Sequence, residues 1–125
     1  MIRFCALCFL FVFMAGVTAN AGESAARPAR FFSSMQDVPI IEGIAELPDQ
    51  AVTYDKPEGR IIESVAEVER GTIDSVRSDY RETLPQLGWA FVSEGVFIRE
   101  SEVLSMNFET IEGRIFVRFM IRPRD

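Results

Sequence analysis

One stretch, residues 72–89, constrains the fold more than any other part of the chain. Apolar side chains recur within it at steps of three and four residues, a spacing that places them on one face of a helix. The residues of this face are Ile73, Val76, Tyr80, Leu84 and Leu87. The spacing therefore predicts a single amphipathic helix whose apolar face packs against the rest of the chain.

Signals for the start and the end of this helix flank the periodic stretch. Thr72 is a suitable N-cap, and Asp74 lies near the positive end of the helix dipole. Pro85 predicts that the helix ends or kinks at Leu84, and Gly88 supplies a left-handed exit. Trp89 is then the first residue of the next strand.

Strands are predicted on both sides of the helix. Residues 51–55 and 60–68 read as two strands joined by the turn at 56–59, because proline and glycine favour a tight reversal there. After Trp89 the chain alternates between short apolar runs and turn signals, which predicts four more strands. The fold class is therefore α+β, with a single helix packed on one face of an antiparallel sheet in the order ββαββββ.

Two Glu-Gly pairs, at 94–95 and 112–113, are candidate two-residue hairpin turns. The first turn would pair Phe91 with Ile98 and Ser93 with Val96, unless a one-residue bulge shifts the register. The second would place three apolar pairs on one buried face: Leu104 with Ile121, Met106 with Phe119, and Phe108 with Val117. An acidic loop, residues 100–102, joins the two hairpins. The predicted core comprises Ile62, Trp89 and residues of the helix and of the two hairpins. The helix residues are Ile73, Val76, Tyr80, Leu84 and Leu87. The hairpin residues are Phe91, Ile98, Leu104, Met106, Phe108, Val117, Phe119 and Ile121.

The second face of the same strands mixes aromatic and basic side chains and is the candidate site. Its predicted members are Phe97, Arg99, Phe116, Arg118 and Arg122, with Val92 and Met120 beside them. One interpretation is that the apolar segment 31–47, predicted to be irregular with a helical turn near 33–37, covers this face. The other is that the face meets a partner or a ligand. We favour the first, because segment 31–47 must bury its own apolar residues.

The first residues have the pattern of an export signal. A basic start with Arg3 precedes an uncharged apolar run, and Ala-Asn-Ala at 19–21 offers a cleavage site. We predict a signal peptide at 1–21, a flexible spacer at 22–30 and a single domain at 31–125, located in the periplasm. Both cysteines, Cys5 and Cys8, lie in the apolar run, so the exported domain has no disulfide. A retained N-terminal anchor is the alternative.

The charge and composition argue against several classes of function. A formal net charge of −6 argues against nucleic acid and against anionic lipid as partners. With no histidine in the chain and no cysteine beyond residue 8, we expect no catalytic residues of the Ser-His or Cys-His kind, no histidine-based metal site and no thiol redox chemistry. No glycine-rich phosphate loop is present, so we expect no cofactor. A carboxylate pair is the remaining route to an enzyme, in the manner of glycoside hydrolysis.

The sequence Val-Arg-Ser-Asp-Tyr-Arg-Glu-Thr-Leu-Pro-Gln-Leu-Gly-Trp at 76–89 resembles a module of small exported proteobacterial proteins. Those proteins pair a helix of the form Val-x-x-(Phe/Tyr)-Tyr-x-x-x-Leu-Pro-x-x-Gly-Trp with a following antiparallel sheet. The resemblance covers roughly residues 37–123, and Asp79 stands where the first aromatic residue often lies. It implies a fold and a compartment, and brings no catalytic residues and no established activity.

These observations predict a non-enzymatic periplasmic domain that contacts another protein of the cell envelope, with no stable membrane insertion after cleavage of the signal. The alternative is a small-ligand binding domain for an anionic or apolar molecule. A carboxylate-based hydrolase comes third.

Overall fold

A computed structural model describes residues 30–124 of the chain. The predicted signal peptide at 1–21 and most of the predicted spacer at 22–30 lie outside the described residues. Arg30, the last residue of that spacer, belongs to the first strand and pairs with Ile40. The folded part therefore includes at least one residue more than the predicted domain.

One helix and nine strands make up the described fold. The strands before the helix are β1 (Arg30–Phe31), β2 (Pro39–Ile40), β3 (Ile44–Glu46), β4 (Val52–Lys56) and β5 (Gly59–Val68). The helix α1 (Ile73–Thr83) continues into a 3-10 turn at Leu84–Leu87. The strands after it are β6 (Ala90–Ser93), β7 (Val96–Arg99), β8 (Glu102–Ile111) and β9 (Arg114–Pro123).

Every strand pair is antiparallel. Six strands follow one another across the main sheet in the order β3-β5-β9-β8-β7-β6, and β4 pairs with β5 beside β3. Strands β1 and β2 form a separate two-stranded sheet. The predicted class, a helix with an antiparallel sheet, is confirmed, whereas the predicted order ββαββββ lacks the three short strands β1, β2 and β3.

The signals at the helix ends act as predicted. The Thr72 hydroxyl accepts a hydrogen bond from the Ser75 amide at 3.1 Å, and the Ser75 hydroxyl accepts one from the Thr72 amide at 2.8 Å. Gly88 adopts the left-handed conformation at φ 89°. The 3-10 turn winds more tightly than the α-helix and rotates its last side chain away from the apolar stripe. For this reason Leu87, predicted for the core, is 37% exposed.

The core lies between the sheet and two elements packed on one of its faces, which we call the covered face. Helix α1 contributes Val76 and Tyr80 to it. The rings of Phe32 and Tyr80 pack on Phe119 of β9, with centroids 5.0 and 5.1 Å away. Phe32 belongs to segment 31–47, so this segment shares the covered face with the helix. The prediction that it covers the second face is therefore wrong for the residues around Phe32, whereas Leu47, at the end of the segment, does border that face beside Val65.

Segment 31–47 is more regular than predicted. At 33–37 no helix forms, but two hydrogen-bonded turns do, in which the Met35 amide donates to the Phe32 carbonyl at 3.2 Å and the Val38 amide to the Met35 carbonyl at 3.1 Å. Its strand β3 pairs with the last residues of β5. The Gly43 carbonyl accepts the amides of Glu69 and Arg70 at 2.8 and 3.0 Å. Gly43 has φ 94°, and a Cβ there would lie 2.8 Å from the Arg70 carbonyl oxygen. This close approach needs glycine and fixes the segment to the end of β5.

The β8–β9 hairpin has the predicted register in all three apolar pairs. Glu112 and Gly113 both have positive φ, which suits a two-residue turn between twisted strands. In the β6–β7 hairpin Ser93 pairs with Val96 as predicted, but a bulge at Val92 pairs Phe91 with Phe97 and not with Ile98. Phe91, predicted for the core, is 41% exposed.

Candidate functional site

Helix α1 and the buried residues Phe32, Met35 and Val38 lie on the covered face. The second face, which we call the open face, is bordered by Leu47 and Gln50 beside β5. Three of the predicted site residues lie on it, all from β9: Phe116 is half-buried, whereas Arg118 and Arg122 are exposed. They alternate with Val117, Phe119 and Ile121, which are fully buried on the covered face. Strand alternation therefore places these three residues as predicted.

The other two predicted site residues, Phe97 and Arg99, lie on the covered face. A two-residue turn at 100–101 pairs Arg99 with Glu102, so Phe97 stands opposite the buried Leu104. The predicted acidic loop spans three residues, and a change of one residue moves every side chain of a strand to the opposite face. Glu100 makes the shorter turn possible by adopting φ 54°. Phe97 is 1% exposed and belongs to the core.

Arg99 is part of a charged network at the rim of the covered face. Its guanidinium lies 2.9 Å from the Asp37 carboxylate and 4.4 Å from the centre of the Trp89 ring. Asp37 also pairs with Arg60, which in turn pairs with Glu102 at 2.8 Å. The Trp89 indole N–H donates to the Asp37 carbonyl at 3.2 Å. The four charges alternate in sign and tie segment 31–47 to β5, β7 and β8.

The pKa values in this network follow from the pairing. Burial opposes ionisation of Asp37, but hydrogen bonds and positive charge from Arg60 and Arg99 outweigh it and hold its pKa below the ordinary value. Hydrogen bonds to Glu102 and Asp37 raise the pKa of Arg60. Both partners stay charged at neutral pH, so the network is a structural clamp rather than a proton-transfer site.

On the open face, two ion pairs link β5 to β9. Arg114 binds Glu67 through two parallel N–H···O bonds of 2.7 and 2.5 Å, and Arg118 lies 2.6 Å from Glu63. The hydrogen bonds from Arg114 lower the pKa of Glu67. The Arg114 guanidinium also lies 5.3 Å from the centre of the Phe116 ring. The pairs hold aromatic and charged groups in fixed positions across the sheet.

Apolar groups on the open face surround a shallow concavity of ≈ 220 Å³. Leu47, Val65 and Phe116 line it, with Ile111 and Arg118 at its edge. Ile111 is 48% exposed, and Tyr54, on the same face of β4, is 59% exposed. Leu47, Val65, Ile111 and Tyr54 are not among the predicted site residues. The alternation of Val52 and Tyr54 along the predicted strand 51–55 could have identified the contribution of β4.

No family model, curated protein or solved structure matches the chain. Within residues 30–124, no helix is long and apolar enough to cross a membrane. In the same part of the chain, no three His, Cys, Asp or Glu side chains are grouped so that they could hold a metal ion.

Proposed function

We propose that this protein is an exported, non-enzymatic domain of the periplasm that contacts another envelope protein through its open face. The observation that carries the proposal is the exposure of aromatic and aliphatic side chains on the open face. Among residues 30–124, the helix and the buried Phe32, Met35 and Val38 pack on the covered face, and the open face keeps Tyr54, Ile111 and Phe116 accessible or half-buried. The resemblance of residues 76–89 to small exported proteins, and the signal-like start of the chain, support the location.

The chemistry of the open face favours a protein surface as its occupant. Aromatic, aliphatic and arginine side chains lie together on it, which is the composition enriched in interface cores. Arg118 is exposed two residues from Phe116, and Arg122 is exposed six residues from it, towards the other end of β9. We therefore expect the partner to present carboxylates opposite these two arginines and an apolar side chain opposite Phe116.

Two acids of the open face, Glu63 and Glu67, are poorly suited to catalysis. Glu63 and Glu67 are each held by an arginine, and the pKa of Glu67 is lowered by its hydrogen bonds. A general acid at neutral pH needs a raised pKa. This supports the non-enzymatic proposal over a carboxylate-based hydrolase.

A small-ligand binding domain is the second candidate, and the concavity beside Phe116 and Arg118 favours it. That concavity, ≈ 220 Å³, is smaller than the roughly 300–1,000 Å³ of a ligand pocket. An apolar anion of modest size would lie there with its charge towards Arg118.

Photo-crosslinking in living cells tests the proposal. A photoreactive amino acid is placed at position 118 or 122 on the open face and, as the control, at Glu42, which is exposed before β3. We expect a discrete adduct of higher mass from the first two positions in the envelope fraction, with mass spectrometry identifying the same partner in both. The same adduct from position 42, or only monomer from 118 and 122, would contradict the proposal.

A further inference from the structure

Among residues 30–124, strand β6 is an unpaired edge of the main sheet. It pairs with β7 on one side and ends the strand order on the other. All four of its residues, Ala90–Ser93, are exposed, and Val92 is 53% exposed. An edge strand presents free backbone N–H and C=O groups, and proteins usually protect such an edge with charge, proline or a bulge. Within β6 the bulge at Val92 is such a device, and the strand itself has no charged residue and no proline.

The opposite edge of the sheet is different. Strand β4 also has a free side over Val52–Lys56, but it carries Asp55 and Lys56 and is followed by Pro57. Charged side chains and proline discourage strand addition. Of these two edges, β6 is therefore the one suited to pair with another chain.

A groove lies beside β6, between α1 and the β6–β7 hairpin. Phe91, Phe97 and Met106 form its apolar floor, and Arg77, Ser78 and Arg81 of the helix form its wall. Its volume, ≈ 230 Å³, is below the roughly 300 Å³ at which pockets for whole small ligands begin. A groove of this size beside a free strand suits one or two side chains of an extended peptide.

The charges of the groove specify the chemistry of that peptide. Arg77 faces the carboxylates of Asp74 and Glu94, at 3.8 and 3.6 Å. Arg81 makes no ion pair with any of residues 30–124, and its guanidinium lies 4.3 Å from the centre of the Phe91 ring. A guanidinium fixed over a ring, with its donors free, suits a carboxylate.

We propose that β6 binds an extended peptide segment of a partner protein as an added strand. An apolar side chain of the segment enters the groove over Phe91 and Met106, and a neighbouring carboxylate pairs with Arg81. Backbone hydrogen bonds to β6 supply affinity, and the groove and Arg81 supply selectivity. This surface is separate from the open face and does not depend on the function proposed for that face.

The test begins with a displayed library of random linear peptides, selected on the purified protein. We expect enrichment of sequences in which an acidic residue lies next to an apolar one. The most enriched peptide is then synthesised with a fluorescent label, and its Kd is measured by anisotropy. Arg81→Glu should weaken binding at least about tenfold, since it replaces a charge-assisted pair by repulsion. Arg81→Lys should retain part of the affinity.

Arg70→Glu is the matched control, because it makes the same charge change at an exposed arginine outside the groove. We expect its Kd to stay within about twofold of the wild-type value. Hydrogen exchange of the complex should show slowed amides at 90–93 and unchanged amides at 52–56.

Four results would overturn the proposal. One is that no peptide enriches. Another is that Arg81→Glu and Arg70→Glu weaken binding equally. A third is that protection falls on β4. The fourth is a dimer in light scattering that Arg81→Glu dissociates, because the occupant of β6 would then be a second copy of this chain.

Discussion

The two faces of one sheet differ in how their side chains are held. On the covered face, the Phe119 ring packs against Phe32 of segment 31–47 and against Tyr80 of α1. On the open face, the adjacent residue Arg118 reaches across to Glu63 and is half exposed. The same strand thus contributes buried apolar area on one side and screened ion pairs on the other. We infer that contacts on the covered face supply the folding stability. The side chains of the open face can then be adapted to a partner without loss of that stability.

The largest expected effect is on the covered face, at Leu84. Leu84→Ala removes a fully buried side chain and should lower the free energy of unfolding by about 2–5 kcal/mol. Ile111→Ala, on the open face, should cost less than about 1 kcal/mol, since the side chain is half exposed. Urea unfolding of both variants measures the difference. Equal losses would mean that the two faces contribute alike.

Tyr80→Phe is expected to have the next largest effect. The Tyr80 hydroxyl donates to the Pro39 carbonyl at 2.7 Å, and leaving that buried carbonyl unpaired should cost about 1–3 kcal/mol. Burial also raises the pKa of Tyr80. The folded state therefore stays neutral while the unfolded chain ionises above about pH 10, so stability falls as the pH rises through that range.

Alkaline unfolding of wild type and Tyr80→Phe tests this sign. The free energy of unfolding should fall less steeply with pH in the variant, because Tyr80 no longer contributes to the fall. The values for wild type and variant should therefore converge as the pH rises above about 10. Parallel curves would show that Tyr80 does not titrate differently on folding.

A smaller effect is expected at Asp37, at the rim of the covered face. Asp37→Asn removes the charge that pairs with Arg60 and Arg99 and should cost about 1–2 kcal/mol at neutral pH, because the pairs are partly exposed. The folded pKa is lowered, so the stabilisation is present above the unfolded value of about 3.9 and is lost as the pH falls through the folded value.

The difference between wild type and Asp37→Asn should therefore shrink in acid, which urea unfolding at a series of pH values measures. Asp55→Asn, at the exposed edge of β4, is the matched control and should show little difference at any pH. A constant gap between wild type and Asp37→Asn would contradict the pairing.

The smallest effect is expected for the open-face pair Glu63–Arg118. A double-mutant cycle with Glu63→Gln and Arg118→Gln should give a coupling energy of no more than about 1 kcal/mol, and salt should reduce it. A coupling above about 2 kcal/mol, outside the usual range for exposed pairs, would mean that the open face carries stability as well.

Much of the covered face could be predicted from the sequence, because periodicity identifies which residues of an element share a side. Val76, Tyr80 and Leu84 follow the helical period, and the β8–β9 pairs follow strand alternation with a two-residue turn. Of the candidate site, the β9 residues Phe116, Arg118 and Arg122 were placed for the same reason. The placement of Phe97 and Arg99 was wrong, because it depended on pairing Phe91 with Ile98, whereas the bulge at Val92 pairs Phe91 with Phe97.

Local pattern decided the helix, its caps and the two faces of β9, since these depend on neighbours within a few residues. Tertiary structure decided which face segment 31–47 covers. That choice rests on contacts between residues far apart in the chain, such as Phe32 with Phe119 and the Gly43 carbonyl with the end of β5. The hydrophobic effect is non-directional. The apolar residues of segment 31–47 therefore predict that the segment is buried, but they do not determine which face of the sheet it packs on.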